Sequence, residues 1–190
     1  IWAHSWTTTL SLDNMRIGYY SCSSELRAPA DPYDTNTYIT HIGVICHEIG
    51  HVLGTKDFYD TDYEKTGGWA AGLWCRTSLM DSGNQNNGGN TPPYLNAIER
   101  LLLGLDEPVI LDRPGTYTMS PISKGGRFYR LDTDTEGEFY LFECRNEAGW
   151  DAYIGGNGML AYHIDMSKDV LRKWSFSNDL NCDITHQCAD

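Results

Sequence analysis

The stretch "VICHEIGHVLGTKDFYD", residues 44–60, constrains this chain more than any other. From residue 38 onward, apolar side chains fall at Tyr38, Ile39, Ile42, Ile45, Cys46, Ile49, Val52 and Leu53. Steps of three and four are helical spacing, and they predict a helix over 38–53. Thr37 or Thr40 is placed to cap its start, and Gly54 suits the position just past its end. Residues four apart on a helix share a face, so His47 and His51 point the same way. Glu48 stands ~100° round the helix from His47, beside whatever the two imidazoles hold.

Two imidazoles on one face can grip a small cation. Zinc accepts nitrogen donors at about 2.0–2.1 Å and imposes no d-electron geometry of its own. A carboxylate next to such an ion can take a proton from a metal-bound water. For that reason HExxH on a helix is a metalloprotease signature. The motif is short, so the residues after it matter. Gly54 comes three residues after His51, and Asp57 three after Gly54. A glycine in the left-handed region turns the chain sharply at a helix end. The chain can then pass beneath the ion and offer Asp57 as a third ligand, leaving the fourth position of a catalytic zinc for water. Glu99, on a later helical stretch, is the alternative third ligand.

The rest of the chain divides by period. Residues 1–37 read as irregular, apart from a strand at "RIGYYSC", and 55–93 read as loop, ending in "DSGNQNNGGNTPP". A second helix is expected over about 93–103, "PYLNAIERLLL", closed by Gly104. From Pro108 onward the alternation has period two. "GTYTMSPI", "RFYRLDT", "EFYLFECRN" and "GMLAYHID" read as strands. The expectation is an α+β catalytic domain over 1–190, with an active-site part at about 1–107 and a β-rich part at about 108–190. Several side chains have two readings. Met80 is a soft apolar filler unless it lies under the metal. Tyr94 is a helix-start aromatic unless it donates to a developing oxyanion. His41 faces ~120° away from His47 and reads as structural; His4, His163 and His186 lack ligand spacing, and His163 reads as a core residue or as the support of another side chain. Cys46 reads as helix packing, and Glu143 with Arg145 as a pair on one strand face.

A net charge of −12 argues against nucleic acid, whose partners are basic. No apolar run reaches the ~18 residues of a membrane span. The acids suit a solubilising surface; they also suit calcium, which takes oxygen ligands, with "DFYDTD" at 57–62 the best place. Six Cys without a CxxC pair argue against a thiolate zinc knuckle. In an exported protein they would pair, Cys182 with Cys188 most locally; the alternative is free buried thiols. The chain opens on "IWAHSW" without an initiator Met or a signal-peptide pattern, and so reads as a mature fragment or a domain cut from something longer.

"HEIGHVLGTKDFYD" resembles the zinc motif of the immune-inhibitor-A-like secreted metalloproteases, of the metzincin group. "IWAHSW" resembles a segment upstream of the family's helix, and "SLMDSG", with Met80, its Met-turn beneath the metal. "PPYLNAIERLLLGL" and "FYLFECRN…GWD…GNGMLAYHID" resemble its later helix and closing strands. Where the family has Leu-Pro before the Asp, this chain has Thr55-Lys56. The resemblance implies a metzincin-like fold and a secreted zinc endopeptidase acting on proteins or peptides. Its ligands would be His47, His51 and Asp57, with Glu48 as base and Gly54 as hinge. A propeptide or further domains would lie outside this chain. Two other classes stay open: a metal-bound but inactive fragment, and a calcium-binding module without enzymatic activity.

Overall fold

The computed structural model describes residues 1–29, 32–59 and 74–171. The first helix, α1, covers Ile42–Leu53. It is preceded by short antiparallel pairs: β1 (His4–Thr7) with β4 (Tyr19–Cys22), β2 (Ser11–Leu12) with β3 (Met15–Arg16), and β5 (Leu26–Arg27) with β6 (Tyr38–Ile39). The N-terminal region is thus more regular than its sequence suggests. Two-residue strands give too few alternations for period two to show. Helix α1 begins four residues later than the apolar spacing predicts, because Tyr38 and Ile39 are spent on pairing with Arg27 and Leu26. His41 takes the N-cap position with no side-chain cap, so neither Thr37 nor Thr40 caps the helix.

The apolar stripe of α1 is also not its covered face. Ile42, Ile45, Ile49 and Leu53 are exposed, whereas Gly43, His47, Glu48 and Gly50 are buried. Small residues allow close approach here. A Cβ on Gly43 would lie 2.0 Å from the Asn84 carbonyl oxygen, and one on Gly50 would lie 2.5 Å from the Met80 sulfur. The Asn/Gly-rich run, expected to be a bare loop, forms 3-10 turns over Ser82–Gly89 that pack on α1. Asn86 in it is buried and donates to the Arg76 carbonyl at 2.9 Å.

The second helix, α2, is Ala97–Leu102 and starts later than expected. Asn96 stops it, accepting from the Glu99 N–H at 3.0 Å while Glu99 accepts from the Asn96 N–H at 2.7 Å. This reciprocal capping box satisfies two amides that the helix itself cannot. Beyond α2 lie β7 (Val109–Ile110), β8 (Tyr129–Asp132), β9 (Glu138–Arg145) and β10 (Gly158–Asp165). They form one sheet in the order β10-β9-β8-β7, antiparallel except for β7 with β8. "GTYTMSPI" is not a strand; its one ladder contact is a bridge from Pro121 to Cys144. The other three segments are strands, and the architecture is α+β.

Alternation along β9 turns Phe139, Leu141, Glu143 and Arg145 inward. Phe139 and Leu141 join Phe58, Leu79, Met80, Ala97, Ile98, Phe128 and Ile164 in the core. Glu143 and Arg145 continue the same face as buried charges. His163, on β10, is a surface residue stacked on Tyr140, not a core one. Among the described residues no helix is long and apolar enough to cross a membrane. Cys182, Cys188, His186 and residues 60–62 of "DFYDTD" lie outside the described residues.

Candidate metal centre

Helix α1 ends in a Schellman turn. Gly54 has φ +119°, its N–H reaches the His51 carbonyl at 3.1 Å, and the Thr55 N–H reaches the Gly50 carbonyl at 3.1 Å. Only glycine takes that φ without strain. The turn reverses the chain under the helix and brings Asp57 back to His47 and His51. His47 Nε2 and His51 Nε2 lie 3.2 Å apart. Asp57 Oδ1 lies 3.1 Å from the first and 3.3 Å from the second. These three residues form a group able to hold a metal ion.

The outer nitrogens of both rings show what that triangle is suited to. His47 Nδ1 lies 3.0 Å from the Leu79 carbonyl oxygen, and His51 Nδ1 lies 3.1 Å from that of Thr55. A carbonyl oxygen only accepts, so each Nδ1 carries the hydrogen. In the neutral rings both Nε2 atoms then present lone pairs, and they present them to each other and to a carboxylate oxygen. Three electron-rich atoms in mutual contact need a proton or a cation between them. A tetrahedral ion with donors at about 2.0–2.1 Å holds them roughly 3.3 Å apart, which is the spacing found. The donor set therefore fits zinc.

Electrostatics follow from the same contacts. Burial alone would raise the Asp57 carboxyl, but hydrogen bonds and charge from His47 and His51 hold it far below the usual carboxylate range. Burial pulls the proton affinity of His51 down, yet Asp57, the Thr55 carbonyl and Glu48 outweigh it, and the net shift is upward. Glu48 is buried beside the pair. Burial raises its proton affinity, against the opposing charges of His47, His51 and His4, with a net upward shift. A carboxyl moved towards neutrality is better matched to exchanging protons in a reaction near pH 7. His4, which has no ligand spacing, thus lies near enough on β1 to act on Glu48.

Met80 is fully buried, with its sulfur against Gly50, which lies between His47 and His51 on α1. Its carbonyl accepts from the Phe58 N–H at 3.0 Å, which fixes the residue next to Asp57. Phe58 itself is buried and packs on Trp74, which stacks on Tyr162 of β10. Glu99 stands apart from the group of three donors. It is wholly buried and accepts from Ser78 Oγ, the Met80 N–H and the Asn96 N–H. Tyr94 is held through its backbone by Asp151 and Arg145, and its hydroxyl lies over Gly149. His41 caps α1 with its ring against Gly89.

Other contributors left little trace in the sequence. Asp81 accepts from the N–H groups of Trp74, Cys75 and Ser82, tying the segment before Met80 to the one after it. Arg145 makes a two-pronged pair with Asp151 at 2.7 and 2.6 Å and a third contact to Glu143 at 3.0 Å. It also donates to the Thr77 and Tyr94 carbonyls. Glu143 in turn accepts from Arg100 and from the Tyr162 hydroxyl. The Arg145–Glu143 pair was legible from its i, i+2 spacing, but its reach to the segment under α1 was not.

A helix that turns two imidazoles and a carboxylate to one point, with a left-handed turn returning an acid beneath them, has the makings of a metallopeptidase centre. Residues 1–100 match the family model described as the immune inhibitor A peptidase M6, catalytic domain, and the chain belongs to that family. The match spans β1 to α2, including the histidine helix and the segment around Met80. No curated protein and no solved structure matches the chain.

Proposed function

We propose that this protein is a zinc-dependent endopeptidase with a metzincin-like catalytic domain. In this reading His47, His51 and Asp57 hold one zinc ion, and Met80 forms the apolar floor beneath it. The observation that carries the reading is the triangle of donor atoms, with both Nδ1 hydrogens turned away to carbonyls. Bound there, zinc would supply Lewis-acid activation of a water and of the scissile carbonyl. Glu48 is the general base. Its carboxylate takes the proton of the attacking water and returns it to the leaving amine nitrogen. The carbonyls of Leu79 and Thr55 keep the two imidazoles in the tautomer that presents Nε2. Tyr94 is a candidate donor to the oxyanion.

Substrates are proteins or peptides, and the protein acts outside the cell as a single catalytic domain over 1–190, with a propeptide or further domains on a longer chain. Family membership supports secretion, and export would favour disulfides. A mass for the unreduced chain lighter by about two units per bridge would agree; six free thiols would count against export. Calcium on the acidic loops is a further expectation, carried by composition alone.

The deciding experiment is metal content together with casein cleavage, with and without a chelator. Stoichiometric zinc and chelator-sensitive cleavage are expected. Zinc without cleavage would indicate an inactive metal-bound fragment, and calcium without zinc a non-enzymatic module. Either result would overturn the reading.

A further inference from the structure

Glu99 is a fully buried carboxylate that stands outside the group of three donors. Taking a carboxylate out of water costs several kcal/mol unless its lone pairs are filled. Here they are filled by one segment above all. Glu99 Oε1 accepts from Ser78 Oγ at 2.6 Å and from the Met80 N–H at 3.0 Å. Those two contacts lie on either side of Leu79. Glu99 Oε2 accepts from the Asn96 N–H at 2.7 Å, which anchors the carboxylate to the start of α2.

What the gripped segment does explains the arrangement. The Leu79 carbonyl accepts from His47 Nδ1 at 3.0 Å. One residue on, the Met80 carbonyl accepts from the Phe58 N–H at 3.0 Å, immediately after Asp57. Two of the three donors are therefore oriented by successive carbonyls of a turn whose flanks are held by one carboxylate. If the Leu79 peptide rotated, His47 would lose the acceptor that keeps hydrogen on Nδ1, and Nε2 would no longer be kept free for a ligand.

We propose that Glu99 is a positioning residue for the metal centre, setting the tautomer of His47 through the Leu79 carbonyl and the approach of Asp57 through the Met80 carbonyl. The proposal rests on the reading of His47, His51 and Asp57 as ligands. It gives Glu99 a role different from that of an alternative ligand. A capping box alone does not need it: the cap uses Oε2, whereas the grip on the turn uses Oε1. Glutamine cannot replace it, because its amide offers one accepting oxygen and one donating nitrogen, and either orientation sets a donor against a donor.

The test compares the parent chain with Glu99→Gln and Ser78→Ala, using zinc and cobalt alone as probes. Chelator competition gives the zinc affinity per folded molecule. The visible spectrum of the cobalt form reports ligand geometry, and the melting temperature of the metal-free chain reports folding. Loss of an outer partner of a metal ligand typically costs 10–100-fold in affinity. Glu99→Gln is expected near the upper end, with a changed cobalt spectrum. Ser78→Ala, which keeps the Met80 bond, is expected near about tenfold, and Ser78→Thr, which keeps the hydroxyl, is expected to restore most of it. A purely structural Glu99 would lower the metal-free melting temperature and leave both metal readouts unchanged, and that result would overturn the proposal. If Glu99→Gln does not fold, Ser78→Ala decides by the same criterion. Failure of the parent chain to bind stoichiometric zinc would instead overturn the ligand assignment, before any variant is compared.

Discussion

Glu48 and Asp57 carry the sharpest expectations at the scale of single residues, because the proposed function gives their carboxylates opposite tasks. Glu48 is buried beside the donors without being one of them. Glu48→Gln is therefore expected to keep stoichiometric zinc and lose about 10²–10⁴-fold in peptide cleavage. Release of the zinc, or cleavage at the parent rate, would refute the role. Asp57 is a member of the donor group, within 3.3 Å of both imidazoles. Asp57→Ala should weaken zinc severely, and Co(II) spectroscopy should show the loss of a carboxylate ligand. Full zinc occupancy in that variant would return the third ligand to another residue. The residues of this site that were legible beforehand are those whose relation is local. His47, Glu48 and His51 follow from helix periodicity, and Gly54 and Asp57 from the turn a glycine permits. Ser78, Asp81 and the task of Glu99 were not legible. Their contacts join residues that are distant in sequence, and nothing in a single stretch shows which carboxylate will meet which amide.

At the scale of elements, α1 was legible in kind but not in the face it buries. Apolar spacing pointed to Ile42, Ile45, Ile49 and Leu53, and the structure covers Gly43 and Gly50 instead. Close backbone approach explains this, since a glycine lets the Ser82–Gly89 turns and Met80 sit directly on the helix. Sequence patterns score side-chain hydrophobicity and do not see contacts made by the lack of a side chain. Gly43→Ala tests the point. Alanine is favoured over glycine in a helix by about 1 kcal/mol, so an uncrowded site would be stabilised. Here the new Cβ would meet the Asn84 carbonyl at 2.0 Å, and overpacking of this kind costs roughly 1–3 kcal/mol. Net destabilisation in urea unfolding is expected for Gly43→Ala. Leu53→Ala, at an exposed position of the same helix, should stay within about 0.5 kcal/mol. A stabilised Gly43→Ala variant would show that the 3-10 turns do not bear on α1. The strands β8 to β10 were readable because period two persists along them. Residues 115–122 alternate too, yet pair only at Pro121, because alternation does not supply a neighbouring strand.

For the whole molecule, an ion held by His47, His51 and Asp57, with the buried charges beside it, would make stability depend on metal and pH together. Without a cation, the triangle of His47, His51 and Asp57 is best satisfied by a proton. The proton affinity of His51 is raised in the folded chain. Its contribution to stability is therefore fully present below the ordinary imidazole value of about 6.5, and is lost as pH rises through the raised folded value. Glu48, also raised, acts in the same direction: its contribution is present below about 4.3 and lost as pH rises through its folded value. Asp57 is depressed, so its contribution persists above about 3.9 and is lost only in stronger acid. The metal-free protein should thus become less stable between weakly acidic and weakly alkaline pH. Zinc, binding the deprotonated imidazoles, competes with that proton and gains as pH rises. Bound to the folded chain at 1,000 times its Kd, it would add about 4 kcal/mol. The melting temperature of the zinc-loaded chain should accordingly exceed that of the chelated chain, by a margin that widens from pH 5.5 to 8. A margin that is constant with pH, or widest in acid, would mean that the stabilising ion is not held by these imidazoles.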